Sequence, residues 1–173
     1  MLEAITALWT GNGDVTYAGR HIAFEQVAAI HPQQTPHPPI WVGGNSESAL
    51  RRAVRYGTAW HSINQSIGML RDRWLPALRA EAERAGKPTP TFAPRIRLHI
   101  TAEANFDAAR VPGSGSLAQV HDDLGGLEAL GAEYVVLNWY TGDLDATREH
   151  ERGFAMLATV AYRVVELVRV RVR

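Results

Sequence analysis

The sequence predicts an α/β fold of parallel strand–helix units, and three observations carry that prediction. From Pro39 onward, short apolar runs alternate with amphipathic helical patterns, four times over. The first run, Ile40-Trp41-Val42, is continuously apolar, as a strand covered on both faces should be. The chain's 173 residues, 46% of them apolar, suit one domain with a real core. Repeated alternation of this kind implies a parallel sheet with right-handed crossovers. Four units fit either an open doubly wound sheet or half of an eight-stranded barrel.

Taken in order, the first ten residues read as the tail of a helix, with Leu2, Ala4, Ile5 and Leu8 in one stripe and Trp9 beside it. That helix has no capping residue before it, as though cut into rather than started. "TGNGD" breaks it, and "VTYAGRHIAFEQVAAIHP" suggests an irregular excursion with a hairpin around Ala18-Gly19. "QQTPHPP" is a connector that proline keeps out of helix. After the strand at Ile40–Val42, residues 45–56 are expected as a helix burying Ala49, Leu50, Ala53 and Val54, with Glu47 and Arg51 spaced to pair and Gly57 as its stop. "TAWHSI" is a second strand. Residues 67–85 form an amphipathic helix with Ile67, Leu70, Trp74, Leu78 and Ala82 on one face.

"TFAPRIRLHIT" reads as a single third strand, in which Phe92, Ile96, Leu98 and Ile100 alternate with Arg95, Arg97 and His99. A loose loop, "AEANFDAARVPGSG", follows. Ser116 and Gln119 have the spacing of a capping box ahead of a stripe of Leu117, Val120, Leu124, Leu127 and Leu130, which Gly125-Gly126 weaken. "EYVVLNWY" is the fourth strand. A last helix is expected from Asp145, with Phe154, Leu157, Ala161, Val164 or Val165, and Val168 inward.

Ligands of parallel α/β folds sit at the carboxyl ends of the strands. That rule selects Gly43, Gly44, Asn45 and Ser46; Trp60, His61, Ser62 and Asn64; His99 and Thr101; and Asn138 to Thr141. Gly43-Gly44-Asn45-Ser46 opens a helix, where backbone N–H groups without Cβ obstruction suit a phosphate. The other reading is a tight strand-to-helix turn with a polar N-cap that binds nothing. The chain contains neither GxGxxG nor a lysine-bearing P-loop. His61 and His99 could serve as proton donors or ring contacts, or be hydrogen-bonded structural histidines. Asn138-Trp139-Tyr140 could line a pocket for a planar ring or pack at the rim.

The balance of residues excludes several classes of function. Formal net charge is zero, with 18 basic and 18 acidic residues, so no global field favours nucleic acid or an anionic membrane. The alternating "VELVRVRVR" tail reads as a solvated end. There is no cysteine, hence neither disulfide nor thiolate chemistry. No His, Asp or Glu cluster has metal-ligand spacing, so no metal is expected, and the absence of Gly-x-Ser-x-Gly leaves a serine hydrolase without footing. No apolar run reaches bilayer length and the N-terminus lacks a signal-like core, which together lead to the expectation of a soluble, cytoplasmic protein.

"HPPIWVGGNSESALRRAVRYGTAWH" closely resembles a segment of the luciferase-like flavin- or deazaflavin-dependent oxidoreductases, in which "PPIWVGGNS", an Arg-rich helix and a "GDGWH"-like strand follow one another. "LWTGNGDVTYAGRHIAF" and "GSLAQVHDDLGGLEALGAEYVVL" are similar to flanking parts of the same family, so the likeness covers nearly the whole chain. The resemblance implies one partial TIM-barrel domain over residues 1–173: the carboxyl-terminal half of the barrel, with an irregular insertion at about 11–38. It implies that Gly43, Gly44, Asn45 and Ser46 hold the cofactor phosphate. The Arg51-Arg52 spelling resembles the branch that uses the deazaflavin coenzyme F420 more than the branch that uses FMN. Implied function is oxidoreductase or monooxygenase chemistry on a small organic substrate. The alternatives are a non-catalytic half-barrel that binds the phosphate or pairs with another chain, and a remnant with no function of its own. Two departures stand out. Thr58-Ala59 replaces the usual acidic residue, and the four strands that carry most groups around the reacting carbon in the family have no counterpart, leaving His61 as the candidate catalytic residue. A half-barrel exposes sheet edges and an apolar inner face, so self-association or a completing partner chain is expected.

Overall fold

The computed structural model describes residues 1–139 and 148–165. Helix α1 (Leu2–Thr10) leads into an antiparallel hairpin of β1 (Asp14–Ala18) and β2 (Ala23–Ala28), which occupies the expected excursion. Glu3 ties these pieces to the rest: its carboxylate accepts from Tyr17 Oη at 3.0 Å, Tyr56 Oη at 2.6 Å and Arg55 Nη2 at 3.0 Å. Those donors, the Tyr56 hydroxyl first and then Tyr17, hold the Glu3 carboxyl below its ordinary value.

The strand–helix rhythm follows. β3 (Trp41–Gly43) precedes α2 (Glu47–Tyr56), and β4 (Ala59–His61) precedes α3, a helical stretch over residues 67–84. Within α3 the turn Leu70–Trp74 is π-helical, and Leu75 N–H bonds Leu70 O. Pro76 explains the wide turn: it lacks an N–H and its ring would crowd the carbonyl four residues back. α2 buries Ala49, Leu50, Ala53 and Val54 as its periodicity predicts, and Glu47 reaches Arg51 at 3.8 Å.

The third strand departs from expectation. Instead of one run it forms β5 (Thr91–Phe92), β6 (Arg95–Arg97) and β7 (His99–Ile100). Pro94 cannot donate to a ladder, so regular pairing lapses between β5 and β6, although its carbonyl still accepts from Val136 N at 2.9 Å. β7 then turns to pair with β8 (Ser114–Gly115), a strand inside what the sequence shows only as a loop. Helix α4 (Leu117–Ala129) starts on the expected capping box, Ser116 and Gln119 satisfying each other's backbone. β9 (Val136–Asn138) is the fourth strand, and α5 (His150–Val160) continues as a π-helical turn, Ala161–Val165.

Every pairing after the hairpin is parallel: β3 with β4, β4 with β5, β6 with β9, and β7 with β8. Single bridges from Ile63 to Arg95 and from Phe92 to Ala132 join these into one succession. Strands therefore neighbour one another in chain order, with no reversal. That is the order of a TIM barrel and not of a doubly wound sheet, whose strand order switches direction. The fold is a run of parallel βα units forming half of such a barrel.

Side-chain alternation divides the sheet into two faces. Val42, Trp60, Phe92 and Ile96 point to the helices and join Leu50, Leu70, Trp74, Leu78 and Leu127 in the main core. A second cluster joins Leu98 and Val120 to Val160 and Val164. Trp41, Gly43, His61, Arg95 and Arg97 fall on the opposite, concave face, so β3 is not covered on both sides: Trp41 remains 38% exposed. α5 also corrects the predicted phase. Phe154 is 62% exposed and Ala161 is exposed, while Gly153, Val160 and Val164 are buried. The cause is Trp139, whose ring carbons would lie 2.9 Å from any Cβ at position 153, so the helix docks through Gly153. The predicted start at Asp145 and the inward Val168 lie outside the described residues. No helix among the described residues is long and apolar enough to cross a membrane.

Candidate functional site

The carboxyl end of β3 runs straight into the N-terminus of α2, and the connecting residues are Gly43 to Ser46. Ser46 is the N-cap: its Oγ accepts from Ala49 N at 3.2 Å and lies 3.0 Å from Ser48 Oγ. The first-turn N–H groups of Glu47 and Ser48 have no intrahelical acceptor, and the helix dipole puts its positive end there. Glu47 stands in the same turn but is drawn back along the helix by Arg51.

The turn is held from behind. Gly44 N–H bonds His61 O at 3.3 Å, and Gly44 O accepts the indole N–H of the fully buried Trp60 at 2.9 Å. Asn45 spends both ends of its amide on one residue, donating to Ile63 O at 2.7 Å and accepting from Ile63 N at 2.9 Å. Its side chain is thus a staple between the turn and the end of β4, leaving only its backbone to meet a ligand. Gly44 has φ +120°, and a Cβ there would come within 3.1 Å of Ala49 Cβ, so the fold itself demands glycine. Gly43 differs. Its backbone is ordinary, and a Cβ would meet nothing nearer than His61 O at 3.8 Å. Nothing in the fold requires glycine at 43. An approaching phosphate would, and the open cradle fits one.

His61 pairs with Gly43 across the ladder and shares its concave face. Its Nδ1 lies 2.7 Å from Ala93 O; a carbonyl only accepts, so Nδ1 carries the proton and Nε2 of the neutral ring is an acceptor. Trp41 leans on this ring at 5.8 Å between centroids and on Tyr134 at 5.4 Å. Beside β3 lies a cavity of about 360 Å³ bordered by Trp41 and Gly43 of β3, Arg52 and Tyr56 of α2, and Met1 to Glu3 at the start of α1.

Other residues at strand ends are used differently. Thr101 Oγ1 donates to Glu103 O at 2.7 Å, and Trp139 packs on α5 beside Phe154, which is the rim-packing reading. His99 sits on β7 away from the turn, its N–H bonded to Gly113 O. Tyr140 and Thr141 lie outside the described residues. Among the described residues no group of three or more His, Asp or Glu converges on a metal position.

Two features escape sequence reading. Arg95 and Arg97, read there as the polar half of an alternating strand, lie on the concave face with His61. The signal was available: in a strand backed by helices, the polar residues face inward. The second feature is Asp123, 8% exposed in the middle of α4. It accepts from Arg110 through both guanidinium nitrogens at 2.9–3.0 Å and from Gly113 N at 2.8 Å, fixing the loop that carries β8. Burial raises its carboxyl above the ordinary value, with the Gly113 N–H and Arg110 pulling the other way.

Comparison with known proteins agrees with this fold. A family model described as luciferase-like monooxygenase matches residues 1–163. Among solved structures, an F420-dependent secondary alcohol dehydrogenase in complex with an F420–acetone adduct superposes with a TM-score of 0.65 at 13% identity, covering 79% of this chain and 54% of that one. The coenzyme F420-dependent tetrahydromethanopterin reductase from Methanopyrus kandleri gives a TM-score of 0.61 at 13% identity, covering 76% and 53% respectively. At that identity the likeness is one of fold, and the chain spans about half the length of these structures.

Proposed function

The chain belongs to the luciferase-like monooxygenase family, and on that premise we propose that it is the phosphate-holding half of a flavin- or deazaflavin-type oxidoreductase. The observation that carries this is the open position at Gly43 in a turn otherwise fixed by Trp60, His61 and Ile63. The backbone from Gly43 to Ser48 and the Ser46 and Ser48 hydroxyls would hold the phosphate. The cofactor ring, when bound, supplies the redox chemistry on a small organic substrate. This chain's own residues bind and orient: the turn sets the phosphate, Trp41 offers an aromatic face, and His61 presents Nε2 to whatever lies on the concave side. The deazaflavin coenzyme F420 is the favoured cofactor, because both structural neighbours are described as dependent on it, with FMN as the alternative within the family. We place this half at the carboxyl-terminal end of a complete barrel, as the order of its motifs suggests.

Titration of the folded chain with F420 and, separately, with FMN tests the reading. Saturable binding of one of them, weakened at least 10-fold in Gly43→Val, is the expected result. A folded chain that binds neither contradicts it.

The open edge of β3 carries a second part of the proposal. Among the described residues β3 has a hydrogen-bonded neighbour on one side only, and its Trp41 is exposed with the exposed Tyr134 against it. A second copy of this chain, with no net charge to repel it, is the proposed occupant, since the structural neighbours carry about as much chain again. Sedimentation equilibrium should show a dimer. A monomer that persists across the concentration range contradicts this part without touching the cofactor reading.

A further inference from the structure

We infer that Arg95 and Arg97 form an anion-binding subsite for the substrate, so that this chain acts on small organic acids or phosphate esters rather than on neutral alcohols or hydrocarbons. The inference rests on the reading of the concave face as the substrate side of a cofactor-binding barrel. Both arginines stand on that face, because Ile96 between them is 1% exposed in the helix-side core and strand side chains alternate. The ladder fixes their neighbours: Arg95 bridges to Ile63, two residues beyond His61 on the same face, and Arg97 lies directly across from Asn138. Arg97 and Asn138 are the last residues of their strands, at the carboxyl end where barrels of this type place their reacting groups.

Arg95 and Arg97 are half-buried, and their guanidinium groups lack the partners such cations normally have. The Nε atoms of both are buried with no hydrogen-bond partner. No carboxylate among the described residues pairs with either one, although Arg51, Arg55, Arg71, Arg84, Arg110 and Arg152 all have such partners. A half-buried cation with a desolvated N–H and no acceptor is costly, so a pair of them two residues apart on one strand asks for an anion between them. The guanidinium fork matches carboxylate and phosphate oxygens bidentately, which lysine cannot do. The cofactor's phosphate does not answer this need. It is assigned to the turn after β3, and β4 intervenes before β6, so two strand spacings, about 10 Å, separate the positions. A second anionic group, carried by the substrate, fits the pair.

The arginine Nε–H signals in a nitrogen–proton NMR spectrum report these atoms directly. Inorganic phosphate and acetate are titrated against chloride at fixed ionic strength, into the wild-type chain and into Arg95→Gln, Arg97→Gln and Arg97→Lys, with Arg79→Gln as a surface control. We expect saturable shifts of the Arg95 and Arg97 signals, affinity reduced about 10-fold or more in each Gln variant and in Arg97→Lys, and no change in Arg79→Gln. F420 and FMN are titrated into the same variants. Unchanged cofactor affinity there supports a separate substrate subsite. Saturable phosphate or acetate binding in a chain that binds neither cofactor leaves the subsite standing and removes the cofactor reading. The inference is overturned if neither anion moves the two signals in the folded chain. It is equally overturned if the Gln variants lose cofactor rather than small-anion affinity, which would make the arginines part of the cofactor site.

Discussion

Trp60 joins the core to the turn proposed to hold the phosphate, and replacing it with Phe tests that connection. The side chain is fully buried, stacked on Phe92 at 5.7 Å, and its N–H is the donor to Gly44 O at 2.9 Å. Trp60→Phe keeps an aromatic ring but leaves a void of roughly 40 Å³, which at about 24 cal/mol per Å³ costs about 1 kcal/mol. The Gly44 carbonyl also loses its donor, at about 1–3 kcal/mol, toward the lower end because Gly44 is only half-buried. The sum is about 2–4 kcal/mol, read by urea unfolding, or a fall in Tm of about 2–4 °C for each kcal/mol in a chain of this size. Trp74→Phe is the matched control. Trp74 is also buried but bonds only a side chain, Gln65 Oε1, at 2.9 Å. Both variants should lose stability, but only Trp60→Phe should speed hydrogen exchange at Gly44 and weaken cofactor binding. A Trp60→Phe chain within about 0.5 kcal/mol of wild type, with unchanged exchange at Gly44, would refute the claim that the indole holds the turn.

The two glycines of the turn should separate cleanly. Gly44→Ala is expected to cost about 1–3 kcal/mol for its positive φ, and Gly43→Ala to stay within about 0.5 kcal/mol, both by urea unfolding. At Glu3 the folded carboxyl lies below its ordinary value of 4.5, so its stabilisation is present above that pH and lost as pH falls through the lowered value. Glu3→Gln should therefore remove an acid-limb slope from the stability profile of α1 and the hairpin, followed by hydrogen exchange. Arg110→Met leaves Asp123 buried without its cation. A carboxyl raised in the folded state loses stabilisation as pH rises through its folded value, so the deficit should be small below pH ~4. It should grow to about 2–4 kcal/mol by pH 7, somewhat less than for a fully buried pair because Arg110 keeps some solvent contact.

Much of this molecule is legible where the signal is local. The stripe of α2, its Ser46 cap, the capping box at Ser116 and Gln119, and the glycine turn after β3 all depend on residues within a few positions of one another. What stays illegible is set at a distance. β8 has two residues, too few for any periodicity, and exists because the Asp123 clamp on Arg110 and Gly113 lays it against β7. The phase of α5 turns on Trp139 filling the space over Gly153, a contact between residues that no helical pattern links. Pro94 announces trouble in the third strand, but only the ladders on either side show that its carbonyl remains in use. The arginines of β6 were visible as alternation. Their meaning appears once the helices are seen to cover the other face.

The turn from Gly43 to Ser46 is proposed to hold a cofactor phosphate. Backbone amide shifts of the isotope-labelled chain, followed during titration with F420 and then with FMN, test it most directly. One cofactor is expected to move the amides of residues 43–48 first and most, saturably, with smaller shifts at Trp41 and His61. Cofactor-induced shifts centred elsewhere on the molecule, with residues 43–48 unmoved at saturation, would contradict it.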